Sequence, residues 1–254
     1  MKKNIIITAG PTNEAIDAVM KITNMSTGAL GSIVADTLIK KYKEEIGKIY
    51  YICPKLCYKP KVNSEQFVFV QIDSTDELLN ALENIFKSDD IYAIVHSSAV
   101  GDYKGEFVIR AEELSEEIAN FVNSTKRVIT KDDILNILKN PTSLCNSQSK
   151  ISSYEENLFV KLTLTPKVIS NIKQFAPNVK LIGFKLLEGV SEDELYDVAH
   201  KLLIKNDANF IVANLLNRIG NGKHFAMIID KEKVVTKCET KQEIADVISE
   251  LIFN

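Results

Sequence analysis

The chain has 254 residues, of which 45% are hydrophobic and 26% charged, and its formal net charge is −3. This composition is ordinary for a globular protein, and the small negative charge excludes a general electrostatic attraction to nucleic acid or to an anionic membrane. Only three of the 31 basic residues are arginines (Arg110, Arg127 and Arg218), so we expect no nucleic-acid partner. No apolar run reaches membrane-spanning length, so we expect no membrane partner either.

The cysteines and histidines do not follow a metal-binding pattern. Cys53 and Cys57 are spaced C-x3-C, but no second pair of ligands follows at a zinc-like spacing. The three histidines, at positions 96, 200 and 224, are scattered along the chain. We therefore expect no structural metal and a reduced, cytoplasmic protein.

Two glycine turns lie near the start of the chain. The apolar run at residues 4–7 predicts a buried strand and is followed by the turn Gly10-Pro11-Thr12. A second loop of small residues, Ser26-Thr27-Gly28, precedes a helix predicted over residues 29–42. Glycine lets the backbone approach a ligand, and the N–H groups that begin a helix bind phosphate. The loops indicate a nucleotide or phosphorylated substrate, although tight turns with an ordinary Ser/Thr N-cap explain them equally well.

Farther along the chain, apolar strand-like runs alternate with helical patterns. This alternation predicts an α/β, Rossmann-like fold, in which a mostly parallel sheet has helices on both faces. Ligands bind beyond the carboxyl ends of such strands, where Gly10 and residues 97–103 would converge. The predicted strands are residues 48–53, 67–72, 91–96, 159–165, 181–185 and 209–213, and the predicted helices are 75–86, 166–175, one with Ser191 as N-cap and one with Thr240 as N-cap.

The pattern changes between residues 104 and 148. Two helical stretches, 112–122 and 132–138, are joined by polar linkers, so we expect a helical insertion or flap within one domain spanning residues 1–254. Later, residues 225–229 and 233–237 predict a C-terminal hairpin. Because the first strand begins almost at Met1, we expect no domain upstream.

Six short motifs, taken in order, resemble the phosphopantothenate–cysteine ligases in their stand-alone bacterial form, across nearly the whole chain. The specific part is the Gly-Pro-Thr turn followed by the loop Asn24-Met25-Ser26-Thr27-Gly28. The motifs are ITAGPT at 7–12, ITNMSTGALG at 22–31, SAVGDY at 98–103, SKISS at 149–153, IGFK at 182–185 and IVAN at 211–214.

The resemblance implies a ligase of coenzyme A biosynthesis that joins 4'-phosphopantothenate to L-cysteine. In that family a nucleoside triphosphate, CTP in bacterial members and ATP in animal ones, activates the carboxylate as an acyl-nucleotide. The amine of cysteine then displaces the nucleoside monophosphate. The resemblance also implies Mg²⁺ and a homodimer whose phosphopantothenate pocket takes residues from both chains. We favour CTP, although residues 184–188 are more similar to the animal branch.

The resemblance also implies roles for individual residues. Asn24 would act when the acyl-nucleotide reacts with cysteine, and Lys150 would contact the triphosphate; both are expected to be catalytic. Asp102 could hold ribose or Mg²⁺, and no residue is assigned as a metal ligand. The expected nucleotide-binding residues are Gly10, Pro11, Thr12, Ser98, Ala99, Asp102, Lys150, Phe184 and Lys205, and those expected to bind the substrate phosphate are Ser26, Thr27 and Gly28.

Each of these residues also has a structural explanation. Asn24 is typical of a turn, Lys150 of a solvated surface, Phe184 of a core and Lys205 of a helix C-terminus. Many bacterial ligases of this kind carry an N-terminal flavin decarboxylase domain that this sequence lacks, so we expect no FMN and no decarboxylation.

Two other functions remain open at this point. An NAD(P)-dependent oxidoreductase fits poorly, because no G-x-G-x-x-G follows the first strand and the second ends in Cys53-Pro54 where a ribose-binding acid is expected. A non-catalytic nucleotide-sensing module would keep the turns at Gly10 and Gly28, but it would not need Asn24, Asp102 and Lys150 together.

Overall fold

The structure is a computed structural model that describes residues 2–145, 148–232 and 234–254. In chain order its elements are β1 (Lys3–Thr8), β2 (Asn13–Ala15), β3 (Lys21–Thr23), α1 (Ala29–Tyr42), β4 (Ile46–Cys53), β5 (Phe67–Gln71), α2 (Thr75–Ser88), β6 (Ile91–His96), β7 (Tyr103–Arg110), α3 (Ala111–Ser124), α4 (Lys131–Lys139), β8 (Leu158–Leu164), α5 (Val168–Phe175), β9 (Lys180–Leu187), α6 (Glu192–Lys205), β10 (Phe210–Gly220), β11 (Lys223–Ile229), β12 (Val234–Cys238) and α7 (Lys241–Phe253).

The contacts between residues divide the chain into two compact units. Unit 1 comprises the chain up to Thr12 together with Asn24–Val100 and Lys167–Asn254. Unit 2 comprises Asn13–Thr23 and Gly101–Pro166. Unit 2 therefore extends beyond the insertion expected at residues 104–148, since it also includes the short segment between the two glycine turns.

Unit 1 is built on an eight-stranded sheet in the order β12-β11-β10-β9-β6-β1-β4-β5. The six strands from β10 to β5 pair in parallel, whereas β11 and β12 pair antiparallel at one edge. This arrangement confirms the predicted Rossmann-like fold with its C-terminal hairpin. Lys233, with which the second strand of the predicted hairpin begins, lies outside the described residues.

The sheet of unit 1 has helices on both faces, as predicted. Successive strand residues point to opposite faces, so Ile6 packs in a cluster with α2, α5 and α6 while Ile5 and Ile7 pack with α1 and α7. All three isoleucines are completely buried. The near-continuous apolar runs of the central strands follow from this burial on both faces.

Several element boundaries follow the sequence closely. Helix α1 spans the residues predicted for it, and Ser191 and Thr240 act as N-caps whose hydroxyls accept from Glu194 N and Glu243 N. The helix predicted to begin at Pro166 begins two residues later, since α5 starts at Val168. Thr165, the residue before Pro166, donates its backbone N–H to Asp102 O within unit 2. Strand β10 runs on to Gly220 rather than ending near Ala213, because it pairs with β11.

Unit 2 contains two short antiparallel sheets and two helices. Strand β7 pairs with β8 over most of its length, and β2 pairs with β3. Ile109, Leu114 and Ile137 form a small core between β7, α3 and α4. The segment from residue 104 to 148 is therefore not a purely helical insertion, because it begins with a strand whose partner, β8, lies about fifty residues later. Among the described residues, no helix is both long and apolar enough to cross a membrane.

Candidate functional site

The two glycine turns of unit 1 lie directly against each other. Gly10 and Gly28 both adopt left-handed backbone conformations, with φ of 76° and 74°. A Cβ on Gly28 would lie 3.0 Å from Gly10 N and 2.2 Å from Cys57 Sγ, and one on Gly10 would lie 2.7 Å from the same sulfur. Neither position therefore accepts a side chain, for reasons of both strain and space.

Gly28 directly precedes α1 as its N-cap residue. Its carbonyl accepts from Ser32 N at 3.1 Å, which closes the first turn of the helix. The expected Ser/Thr N-cap is absent, since the N-cap residue is Gly28 itself, although Thr27 Oγ1 lies 3.4 Å from Ala29 N. The first N–H groups of a helix attract anions, so this turn has the chemistry of a phosphate site.

The loop after β6 pairs with the turn at Gly10. Ala99 N donates to Gly10 O at 2.9 Å, and Thr12 N donates to Ala99 O at 3.3 Å, so Pro11 and Ala99 form a parallel bridge. Ser98 N donates to Thr8 Oγ1 at 3.3 Å. The structure thus brings together Gly10, Pro11, Thr12, Ser98 and Ala99, as the sequence predicts for the carboxyl ends of β1 and β6.

A buried histidine supports this strand end. His96 Nδ1 pairs with Thr8 Oγ1 at 2.9 Å, and the ring is only 6% exposed. Burial lowers the pKa of His96 to about 4, so the ring is neutral near pH 7. In the sequence, His96 is one of three scattered histidines, and no pattern there marks it as a partner of Thr8.

Asn24 joins the same region through its side chain. Its Nδ2 donates to Ala99 O at 3.2 Å and to Val100 O at 3.1 Å. Its own carbonyl accepts from Ser26 N at 2.9 Å. Asn24 is exposed. Its side chain contacts the loop after β6, and its backbone carbonyl forms the turn that leads to Ser26, Thr27 and Gly28.

Phe184 and Lys205 lie at opposite ends of the sheet. Phe184 follows the last residue of β9 that pairs with β6, which places it toward the carboxyl ends of the parallel strands, where it is half-buried. Lys205 ends α6, just before the amino end of β10. The structure does not bring Lys205 together with the glycine turns. Helix α6 runs antiparallel to the parallel strands, so its C-terminus lies at the amino ends of those strands.

Lys150 and Asp102 belong to unit 2. Lys150 is exposed, and the next residue, Ile151, donates its backbone N–H to Asp17 Oδ2 at 2.9 Å. Asp102 is exposed, and its carbonyl accepts from Thr165 N at 3.0 Å. Strand β6 ends at His96, and Asp102 lies in the loop between β6 and β7.

Two contacts were not predicted from the sequence, one at the glycine turns and one beside Lys150. Cys57 fills the space behind both glycine turns, and its Sγ lies 3.5 Å from Thr27 O. Asp17 is 5% exposed and accepts from three backbone N–H groups. The C-x3-C spacing drew attention to Cys57 only as a metal ligand, and no local pattern marks Asp17.

The described residues contain no group of three or more His, Cys, Asp or Glu side chains that could hold a metal ion. Mg²⁺ generally uses one or two carboxylates together with substrate phosphates and water, so an ion that enters with a nucleotide needs no such group.

A family model gives the chain its place among known proteins. The model for the C-terminal domain of the DNA/pantothenate metabolism flavoproteins matches residues 1–140 and 108–254. The chain belongs to this family. Its curated relatives include the coenzyme A biosynthesis bifunctional proteins CoaBC of Thermococcus kodakarensis and Methanocaldococcus jannaschii, which are 26% and 27% identical over 98% of this chain. The chain spans about half the length of these relatives, 52% and 50%.

Solved structures agree with this family assignment. The DNA/pantothenate metabolism flavoprotein of Streptococcus pneumoniae is 35% identical, with a TM-score of 0.79 and coverage of 99% of this chain and 98% of that one. A Cab2 mutant in complex with phosphopantothenate-cysteine is 14% identical, with a TM-score of 0.65 over 99% of this chain and 85% of that one. The second likeness shows a shared fold.

Proposed function

We propose that this protein joins 4'-phosphopantothenate to L-cysteine through an acyl-nucleotide, with CTP as the favoured nucleotide, in coenzyme A biosynthesis. The single observation that carries the proposal is the pair of left-handed glycine turns at Gly10 and Gly28, which meet at the start of α1. The motifs of this ligase family begin at these turns, and the family match extends over the whole chain.

The proposed reaction has two steps. A carboxylate oxygen of phosphopantothenate attacks the α-phosphorus of CTP, and the bond to pyrophosphate breaks. The cysteine amine then attacks the acyl carbon, the bond to CMP breaks, and the amine loses a proton. When bound, Mg²⁺ would offset the charge of the triphosphate.

The residues of unit 1 suit two phosphate-containing ligands. The loop Ser26-Thr27-Gly28 would bind the substrate phosphate with the N–H groups at the start of α1. Gly10, Pro11, Thr12, Ser98, Ala99 and Phe184 would lie along the nucleotide. Asn24 contacts the loop of Ala99, so it is suited to orienting the acyl-nucleotide for the second step.

Lys150 and Asp102 would also contact the nucleotide. Lys150 is exposed and lies beside an ordered backbone, so its ammonium is available to contact the triphosphate and offset charge in the transition state. Asp102 would hold the ribose or Mg²⁺. Lys205 would not contact the nucleotide, because it lies at the amino ends of the parallel strands.

The nucleotide is tested by comparing CTP with ATP. The purified protein would be given phosphopantothenate, L-cysteine, Mg²⁺ and one nucleotide, and the amide product would be measured by mass spectrometry. We expect a higher kcat/KM with CTP. A higher value with ATP would overturn the choice of nucleotide and leave the ligase assignment standing.

We also propose a cytoplasmic homodimer that shares its phosphopantothenate pocket between two copies of the chain. Two-fold dimers are the commonest arrangement among oligomers, and the family resemblance implies one. Light scattering at micromolar concentration would give twice the chain mass of 28.4 kDa. A monomer that keeps its full specific activity on dilution would contradict the shared pocket.

A further inference from the structure

Asp17 lies at the end of the β2–β3 hairpin, in a turn that its own carboxylate closes. Its Oδ1 accepts from Val19 N at 2.7 Å and from Met20 N at 2.6 Å. Ile16 N and Asp17 N both donate to Met20 O, so the turn is bonded from both sides. We call residues 16–20 the Asp17 turn.

The second oxygen of Asp17 reaches a distant part of the sequence. Oδ2 accepts from Ile151 N at 2.9 Å, and the two residues are separated by 134 positions. Ile151 is 8% exposed, whereas its neighbour Lys150 is exposed. A buried apolar side chain and a charge-assisted hydrogen bond therefore fix the backbone directly after the lysine.

The electrostatics of the contact agree with its geometry. The N–H groups of Met20, Ile151 and Val19, in that order, together with the nearby charge of Lys150, hold the pKa of Asp17 below its ordinary value. The carboxylate is thus charged near pH 7, and all three donors face an anion.

We propose that Asp17 is a positioning residue for Lys150, which it acts on through the backbone N–H of Ile151. This inference rests on the proposed function, in which Lys150 contacts the triphosphate. Without the hydrogen bond between Asp17 and Ile151, Lys150 would keep its charge but would adopt more orientations. The rate of the proposed reaction would fall, because the ammonium group would be misplaced in many of them.

The substitution that tests this is Asp17→Asn. An asparagine keeps one acceptor oxygen for the Asp17 turn but places an NH₂ group where Ile151 N needs an acceptor. Asp36→Asn is the matched control, because Asp36 Oδ1 also accepts from two backbone N–H groups, those of Lys61 at 2.8 Å and Val62 at 2.9 Å. That control removes a carboxylate charge in unit 1, while its amide oxygen can still accept from both N–H groups.

The first readout is independent of any activity. Trypsin cleaves after Lys150, and the bond it cuts contains the N–H that Asp17 binds, so cleavage of the folded protein requires this segment to open. A hydrogen bond to a charged group corresponds to about a ten- to hundredfold change in an opening equilibrium. We expect Asp17→Asn to be cut about that much faster at Lys150, with Asp36→Asn cut at the wild-type rate. Equal rates for all three proteins would overturn the proposal.

The second readout separates positioning from mere stability. We expect Asp17→Asn to raise KM for the nucleotide and lower kcat, with little change in KM for phosphopantothenate. Added to Lys150→Ala, it should cause no further loss, because its effect passes through Lys150. Fast cleavage with normal kinetics, or additive losses in the double variant, would overturn the positioning role. An inactive wild-type protein would instead contradict the proposed ligase, and the cleavage rates would still decide whether Asp17 holds this segment.

A second variant covers the case in which Asp17→Asn fails to fold. Ile151→Pro removes the N–H donor together with the buried isoleucine side chain, and it leaves the Asp17 turn with its carboxylate intact. We expect the same change in nucleotide KM and kcat. Wild-type kinetics in this variant would overturn the proposal.

Discussion

The side-chain nitrogen of Asn24 lies 3.2 Å from the carbonyl oxygen of Ala99, and the same nitrogen lies 3.1 Å from Val100 O. An amide NH₂ has two protons, and here each has a carbonyl to bind. Asn24 therefore connects the two loops that the ligase motifs mark, with contacts that a carboxylate cannot make.

Asn24→Asp would place an oxygen against these two carbonyls. We expect a moderately raised KM for the nucleotide, because the loop of Ala99 is disturbed, and a much larger loss in the step that uses cysteine. Mass spectrometry of quenched reactions would then show accumulated acyl-nucleotide. Asn4→Asp is the control, because Asn4 Nδ2 also donates to a backbone carbonyl, Asp90 O at 3.2 Å. Asn4 lies near the amino end of β1, whereas the glycine turn at Gly10 follows the carboxyl end of that strand. Equal loss of both half-reactions would count against the role of Asn24.

Gly28→Ala tests the contact between the glycine turns. The new Cβ would meet Cys57 Sγ and Gly10 N, so we expect a loss of about 2–5 kcal/mol in the free energy of unfolding, from overpacking and left-handed strain together. Gly189→Ala is the matched control, because its φ is +69° with nothing within 4 Å of the new Cβ. Strain alone costs about 1–2 kcal/mol there.

The double variant Gly28→Ala/Cys57→Ala sharpens this test. Removing the sulfur removes the nearest clash but leaves the approach to Gly10 N, so we expect partial recovery of stability. Urea unfolding curves measure all three variants. A Gly28→Ala protein no less stable than Gly189→Ala would show that the turns do not pack as described.

Lys150→Ala tests the proposed cation. Removing a group that offsets transition-state charge costs about 2–4 kcal/mol, so we expect turnover to fall by about one and a half to three orders of magnitude. Because the side chain is exposed, the melting temperature should change little. Lys126→Ala, another exposed lysine of unit 2, is the control. A large fall in melting temperature with normal activity would make Lys150 a structural residue.

The two buried histidines predict how stability depends on pH. Burial, aided at His224 by the positive charge of Lys241, lowers the pKa of both rings to about 4. In the unfolded chain these histidines bind protons near pH 6.5. Their contribution to the free energy of unfolding is therefore fully present above that pH and is lost as the pH falls toward 4. We expect each histidine to account for about 2 kcal/mol of lost stability by pH 5.

Urea unfolding between pH 7.5 and 5 measures this loss. His224→Gln would remove about half of the pH dependence, because the buried ring of His96 remains. An unchanged slope in His224→Gln would mean that His224 does not cause the effect. His224 Nε2 pairs with Asn214 Oδ1 at 3.0 Å, so stability should be compared with each variant's own value at pH 7.5.

Much of unit 1 follows from local sequence, because its four central strands (β9, β6, β1 and β4) are apolar runs with parallel neighbours on each side. Helix α1 and strand β6 match their predicted ends, and the loop after β6 meets the turn at Gly10 as expected. The strands of unit 2 were harder to predict from the sequence. Strand β7 forms through its pairing with β8, and the helical patterns of α3 and α4 favoured a helical insertion there. Contacts such as Asp17 with Ile151 join residues far apart in sequence, so no local pattern announces them.

The most direct test is the stoichiometry of the complete reaction. With CTP, Mg²⁺, phosphopantothenate and L-cysteine, we predict one phosphopantothenoylcysteine and one CMP for each pyrophosphate, with no amide when any one substrate is omitted. A folded wild-type protein that forms no cysteine-dependent product with either CTP or ATP would contradict the proposed ligase.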